Sequence, residues 1–243
     1  MLLTAAEPRL VLLGVAVFAV AALAQAVTGF GSAMVAVPLL ALAVSPVDAV
    51  TAATIVGLIL TTGAWRRERA HVDLPRVGLL AGAGVLGMPF GLVLLAALSE
   101  EALTYVIAGT VLCLVLLIAV GVETPDTRTV RATAGLVSGA LLTSTGMNGP
   151  PLVIALHNMP PRQFRGTLQA VFALQNAVAV MGFVLFGLVS PVAVVLALAS
   201  LVGLPIGWRV GNVVFARIRS EHFRWVLLGG LTATALGAIL GAL

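Results

Sequence analysis

Ten almost purely apolar stretches, at 10–27, 33–44, 47–65, 76–97, 101–121, 132–144, 150–158, 166–188, 192–215 and 223–243, take up most of the 243 residues. At a rise of about 1.5 Å per residue, most of them can cross a hydrocarbon layer of about 30 Å as helix. They are continuous and lack the strict alternation of a barrel strand, so their backbone groups must be paired within helices. Only 9% of the residues are charged, against about 25% in a soluble domain. The chain is expected to be an all-α polytopic membrane protein, held in a lipid bilayer, with no large domain outside it.

Two of the apolar runs are broken by glycine in the same way. Thr28-Gly29-Phe30-Gly31-Ser32 interrupts the first, and Thr145-Gly146-Met147-Asn148-Gly149 repeats the device about 117 residues later, followed by Pro150-Pro151. The likeness extends further. Gly87-Met88-Pro89-Phe90-Gly91 matches Gly203-Leu204-Pro205-Ile206-Gly207 at an offset of about 116, and Glu101, Tyr105 and Gly109 match Glu221, Trp225 and Gly229 at about 120. The chain reads as an internal duplication, 1–122 and 123–243, forming one integral membrane domain. Each repeat is a glycine-broken helical hairpin followed by three transmembrane helices. The stretch 10–26 ends in Ala24-Gln25-Ala26, as a secretory signal can, but its counterpart at 132–144 sits in mid-chain, so it is read as a span.

All thirteen basic residues are arginine, and their placement orients the repeats. Arginine accumulates in short cytoplasmic loops. Arg66, Arg67, Arg69 and Arg76 share one loop, Arg128 and Arg131 a second, Arg162 and Arg165 a third, and Arg209, Arg217, Arg219 and Arg224 a fourth. The connections at Ser45-Pro46, Leu98 to Glu100 and Ser190-Pro191 carry none. All four basic loops face one side only if each broken segment goes in and comes back, so the halves are expected to be inverted, the short arms at 33–44 and 150–158 either re-entering or spanning; reading each broken segment as one full span is the alternative and gives parallel halves. The +4 charge is then a topology signal, and no nucleic-acid partner is expected.

Broken backbone at membrane depth survives only where protein or a wet cavity satisfies it, and paired breaks mark a transporter's substrate site. A helix that starts after a break offers free N–H groups and the positive end of its dipole, which favour an anion. Thr28, Gly29, Gly31 and Ser32 in the first break, and Thr145, Gly146, Asn148 and Gly149 in the second, are therefore candidate substrate-binding residues. Gln25 precedes the first break. On the helix over 166–188, Gln169 and Asn176 lie seven apart and share a face, beside Gln175; Thr54 and Thr61 hold the equivalent places in the first half, and Thr61 joins the candidates. The alternative for all of these is small-residue packing and interhelical hydrogen bonding. The two proline-glycine motifs read as paired kinks or, more simply, as close helix crossings.

All nine carboxylates fall in loops, termini or helix ends, which disfavours cation or proton antiport through a buried acid and suits an anion. Cys113 sits in a leucine-valine run as a small hydrophobe. No metal spacing, cofactor motif or catalytic constellation is present, so no enzyme is expected; homo-oligomerisation is left open.

The Thr-Gly-Phe-Gly-Ser break leading to Pro38-Leu39-Leu40, the run Gly135-Leu136-Val137-Ser138-Gly139 leading into Thr145 to Pro151, and the duplicated layout resemble the TauE/SafE family of membrane transporters over nearly the whole chain. The resemblance implies a bacterial inner-membrane protein that exports sulfite, sulfoacetate or a related sulfonate by alternating access. A passive anion channel and a carrier of a non-sulfur carboxylate are the alternatives. Where the family's breaks are richer in glycine, this chain has Phe30, Ser32, Met147 and Asn148, bulkier and more polar groups that would reshape the pocket.

Overall fold

The computed structural model describes residues 8–28, 31–120 and 124–217. These form nine α-helices and no strand among the described residues: α1 (Pro8–Thr28), α2 (Ser32–Ala41), α3 (Pro46–Glu68), α4 (Leu74–Ala97), α5 (Glu100–Val120), α6 (Arg128–Thr145), α7 (Gly149–Leu156), α8 (Pro161–Leu185) and α9 (Pro191–Arg217). The expected last span, 223–243, lies outside the described residues. Among the described residues, five helices are long and apolar enough to cross a membrane, namely α1, α3, α4, α8 and α9. The short arms are shorter than the sequence suggested. α2 has 10 residues and α7 has 8, so they extend about 15 and 12 Å, half or less of a hydrocarbon core.

Local chemistry fixes where these helices start. Ser45 accepts a bond from the Asp48 N–H at 3.1 Å and precedes Pro46 at the head of α3, which combines an N-cap with a proline where no N–H is needed. Asp48 in the first turn and Arg66 and Arg67 in the last complement the helix dipole. Asp73 caps α4 through the Arg76 N–H at 3.1 Å, and Thr127 caps α6 through the Val130 N–H at 3.2 Å.

The helices pack across the two halves. α1 lies along α9, with Val15 against Gly203, Ala19 against Gly207 and Leu23 against Gly211. Both numbers rise together, so the pair is parallel. α4 lies along α6 in the same sense, Gly84 against Gly139, Leu136 against Gly87, and Ala140 against Gly91. The glycines of both proline motifs thus sit where backbone meets backbone, the crossing reading of the sequence; Pro89 and Pro205 are inside their helices. α3 and α8 run the opposite way to each other: Thr51 bonds the Leu188 carbonyl at 3.4 Å, Gly57 faces Asn176, and the Glu68 carbonyl lies against Gly166.

The interior is apolar and closely packed around Phe18, Met34, Leu40, Ile107 and Phe183, with a second cluster at Leu80, Leu152, Leu156 and Leu168. The outer surface is apolar too. Leu86, Phe90 and Val93 on α4 and Leu198, Val202 and Ile206 on α9 are all more than half exposed, as expected of helices that face a membrane.

The two ends differ in charge. At one, Arg76 pairs with Asp126 at 2.9 Å and with Asp73 at 3.4 Å, and Arg131 reaches Asp126 at 3.4 Å; Arg67 and Arg209 line a groove between α3 and α9 on the same side. At the other, Ser45 donates to Asp48 Oδ2 at 2.8 Å and Ser190 to Asp48 Oδ1, with no arginine in either connection.

Candidate functional site

The breaks follow from two left-handed glycines. Gly146 closes α6 at φ 76°, its N–H bonded to the Leu142 carbonyl at 2.9 Å, and Gly31 opens α2 at φ 96°. A side chain is strained in that region. Pro150 and Pro151 then start α7 without demanding acceptors. Neither α2 nor α7 has a side-chain cap at its N-terminus. The first bond within α2 is from the Val35 N–H to the Gly31 carbonyl at 3.3 Å, so the N–H groups of Ser32, Ala33 and Met34 have no acceptor within the helix.

Those helix starts border a cavity of about 30 Å³, which holds about two waters or one compact polar group. Gln25 reaches it from α1, Gly31 and Ser32 from the start of α2, and Gly57 and Thr61 from α3. Gly146, Asn148 and Gly149 reach it from the second break, and Asn176 from α8. Ala33, Met34, Ala53, Met147 and Phe172 complete the lining. No lining residue is ionisable, so the field inside comes from amides, hydroxyls and the positive ends of two helices. Gly57 and Asn176 lie near the middles of their long helices, which places the cavity far from either end of the molecule.

Eight of the sequence candidates thus meet: Gln25, Gly31, Ser32, Thr61, Gly146, Asn148, Gly149 and Asn176. Gln175 does not line the cavity but stands behind it. Its Oε1 accepts from Asn148 Nδ2 at 3.1 Å and from Ser138 Oγ at 3.0 Å, and its Nε2 points to the Leu80 carbonyl at 3.4 Å. The Ser138 hydroxyl also lies 2.9 Å from the Asn148 carbonyl. The Thr145 hydroxyl donates to Leu141 O at 2.8 Å along its own helix. Gln169 is buried but away from the cavity, as is Thr54, which bonds Val50 O at 2.8 Å. The reason is the opposed crossing of α3 and α8: it brings Gly57 to Asn176 and carries positions 54 and 169 away on either side. Thr28 ends α1; its side chain, and Gly29, lie outside the described residues.

Sequence reasoning passed over Ser138 as a site residue. Its signal was present, because Ser138 precedes Thr145 by seven residues, the spacing that singled out Gln169 and Asn176. Gly57 carried no polar signal, yet it sets how close Asn176 comes. A Cβ there would lie 3.2 Å from Asn176 Oδ1. Gly57→Ala is expected to push the amide into the cavity and weaken ligand affinity about tenfold with little change in melting temperature, checked by ligand titration of the purified variant.

A family profile described as Sulfite exporter TauE/SafE matches residues 13–238. No curated protein and no solved structure gives a significant match.

Proposed function

The chain belongs to the sulfite exporter TauE/SafE family, and we propose on that footing that it is a secondary transporter exporting a small anion by alternating access. Sulfite, sulfoacetate or a related sulfonate is the proposed substrate class. The observation that carries this reading is the cavity: one interior, un-ionised polar site, bounded by both glycine breaks and by two uncapped helix starts. Such N-termini attract an anion without a fixed positive charge.

Inverted repeats are part of the proposal. It is supported by the opposed run of α3 and α8, which occupy equivalent places in the two halves, and by the reciprocal pairing of α1 with α9 and α4 with α6. Each broken hairpin then rides on a helix of the other half. Two such units rocking about α3 and α8 would open the cavity first to one side and then to the other. The arginine-bearing end is assigned to the cytoplasm of a bacterial inner membrane. With the inside negative, the potential contributes about 2.3 kcal/mol per charge per 100 mV toward export of an anion, so a carrier alone could suffice.

Flux of labelled sulfite and sulfoacetate in proteoliposomes tests this. Saturable uptake is expected for the native chain, with Asn148→Ala lowering it about tenfold or more. Unsaturable conductance would point to a channel instead, and an unchanged rate in Asn148→Ala would remove the cavity from the pathway.

A further inference from the structure

Acceptor oxygens without donors border the cavity, and they bear on its ligand beyond its negative charge. Three side chains that line it each have a donor tied to the protein. Asn148 Nδ2 is held by Gln175 Oε1 at 3.1 Å, Asn176 Nδ2 by the Phe172 carbonyl at 2.8 Å, and the Thr61 hydroxyl by the Gly57 carbonyl at 2.7 Å. Each amide is thereby anchored through one of its two N–H groups, and its carbonyl oxygen has no donor among the described residues. Gln25, only 2% exposed, has a buried Oε1 with no donor among the described residues. Further donors border the cavity: the N–H groups that start α2, the Gly149 N–H, and the Ser32 hydroxyl.

An oxyanion that has lost every proton offers acceptors alone. Its oxygens would suit the helix starts but would turn lone pairs toward the oxygens of Gln25, Asn148 and Asn176, leaving those groups stripped of water and unbonded, which is costly. We infer that the ligand carries its own donor beside its acceptor oxygens: a hydrogen-bearing oxo-monoanion, with an O–H or N–H directed at the amide oxygens. This rests on the proposed anion-transport reading and sharpens it. For an oxyanion that titrates near neutral pH, the protonated monoanion would be the species bound, formed by taking one proton from water before it enters. The chain would then carry that proton with the anion although no ionisable side chain lines the cavity. Transport would fall with rising pH as the substrate itself titrates.

Three probes of similar size separate the possibilities on the purified, detergent-solubilised full chain: sulfamate, which carries N–H donors; methanesulfonate, which has the same charge and no donor; and sulfite titrated from acid to alkaline pH. Sulfamate is expected to bind about tenfold more tightly than methanesulfonate, and sulfite affinity to fall about tenfold per pH unit on the alkaline side of its own titration. Gln25→Leu should narrow the gap between sulfamate and methanesulfonate, weakening sulfamate more than methanesulfonate. Should that variant not fold, Asn176→Leu reads out the same gap. Equal binding of sulfamate and methanesulfonate, with sulfite affinity indifferent to its own deprotonation, would overturn the inference and leave the anion site standing. Failure of all three to bind would instead overturn the anion-transport reading beneath it.

Discussion

Gly91→Ala is expected to leave little folded protein. The added methyl group would enter the space already held by the Ala140 carbonyl, the Thr143 hydroxyl and the Ser144 N–H of α6, and two of those three are backbone. Thr143 is itself anchored, donating to the Met88 carbonyl at 2.8 Å across the same interface. No flexible side chain can yield, so α4 and α6 must move apart along their length. Overpacking a core costs about 1–3 kcal/mol where side chains adjust, and here the cost should reach the top of that range or exceed it. Gly207→Ala meets the Ala19 backbone of α1 and should behave alike. Gly82→Ala is the control on the same helix as Gly91, because its Cβ would find nothing within 4 Å; it should be neutral or slightly stabilising through helix propensity. Melting in detergent and the yield of monodisperse protein distinguish them. A native-like melt for Gly91→Ala would mean that the two backbones are not this close.

Gln175→Leu should produce the largest functional loss in a protein that still folds. Gln175 is fully buried and touches no ligand in the proposed site, so it acts through Asn148. Its removal frees Asn148 Nδ2 to swing into the cavity and exchanges an acceptor for a donor there. Transport is expected to fall about 10- to 100-fold, with a stability cost of about 1–3 kcal/mol for the buried donor left unbonded. The diagnostic is non-additivity. Groups that act as a unit do not sum, so adding Asn148→Ala to Gln175→Leu should cost little more than either change alone. Multiplying losses would show that Gln175 serves some other part of the protein. Gly84 offers an independent approach, since a Cβ there would displace the Gln175 side chain.

Much of this was legible in the sequence, because membrane residence leaves the backbone few choices. Apolar runs had to be helices, and glycine breaks had to point inward, so Gln25, Gly31, Ser32, Thr61, Gly146, Asn148, Gly149 and Asn176 could be named before any coordinates. What was not legible depended on direction. Periodicity puts Gln169 and Asn176 on one face of a helix, but it does not say where along that face another helix crosses. The antiparallel meeting of α3 and α8 at Gly57 and Asn176 decides that, leaving Thr54 and Gln169 outside. Gln175, polar and central, reads as a ligand contact in the sequence, whereas the structure puts Asn148 between it and the cavity. Nor could donor and acceptor be told apart from residue types, since an amide carries both until its partner is known.

The pairing of α1 with α9 and of α4 with α6 also bears on how the chain is made. During synthesis α1 would enter the bilayer first, yet the helix that fills its glycine seam is encoded about 180 residues later. At about 5–20 residues per second, the first hairpin would wait on the order of ten seconds or more before its neighbour exists. The glycine seams that α1 and α4 form are completed only by α9 and α6, so a chain stopped after residue 122 would lack both seams. Two separately expressed halves should complement each other in one membrane while each alone is degraded.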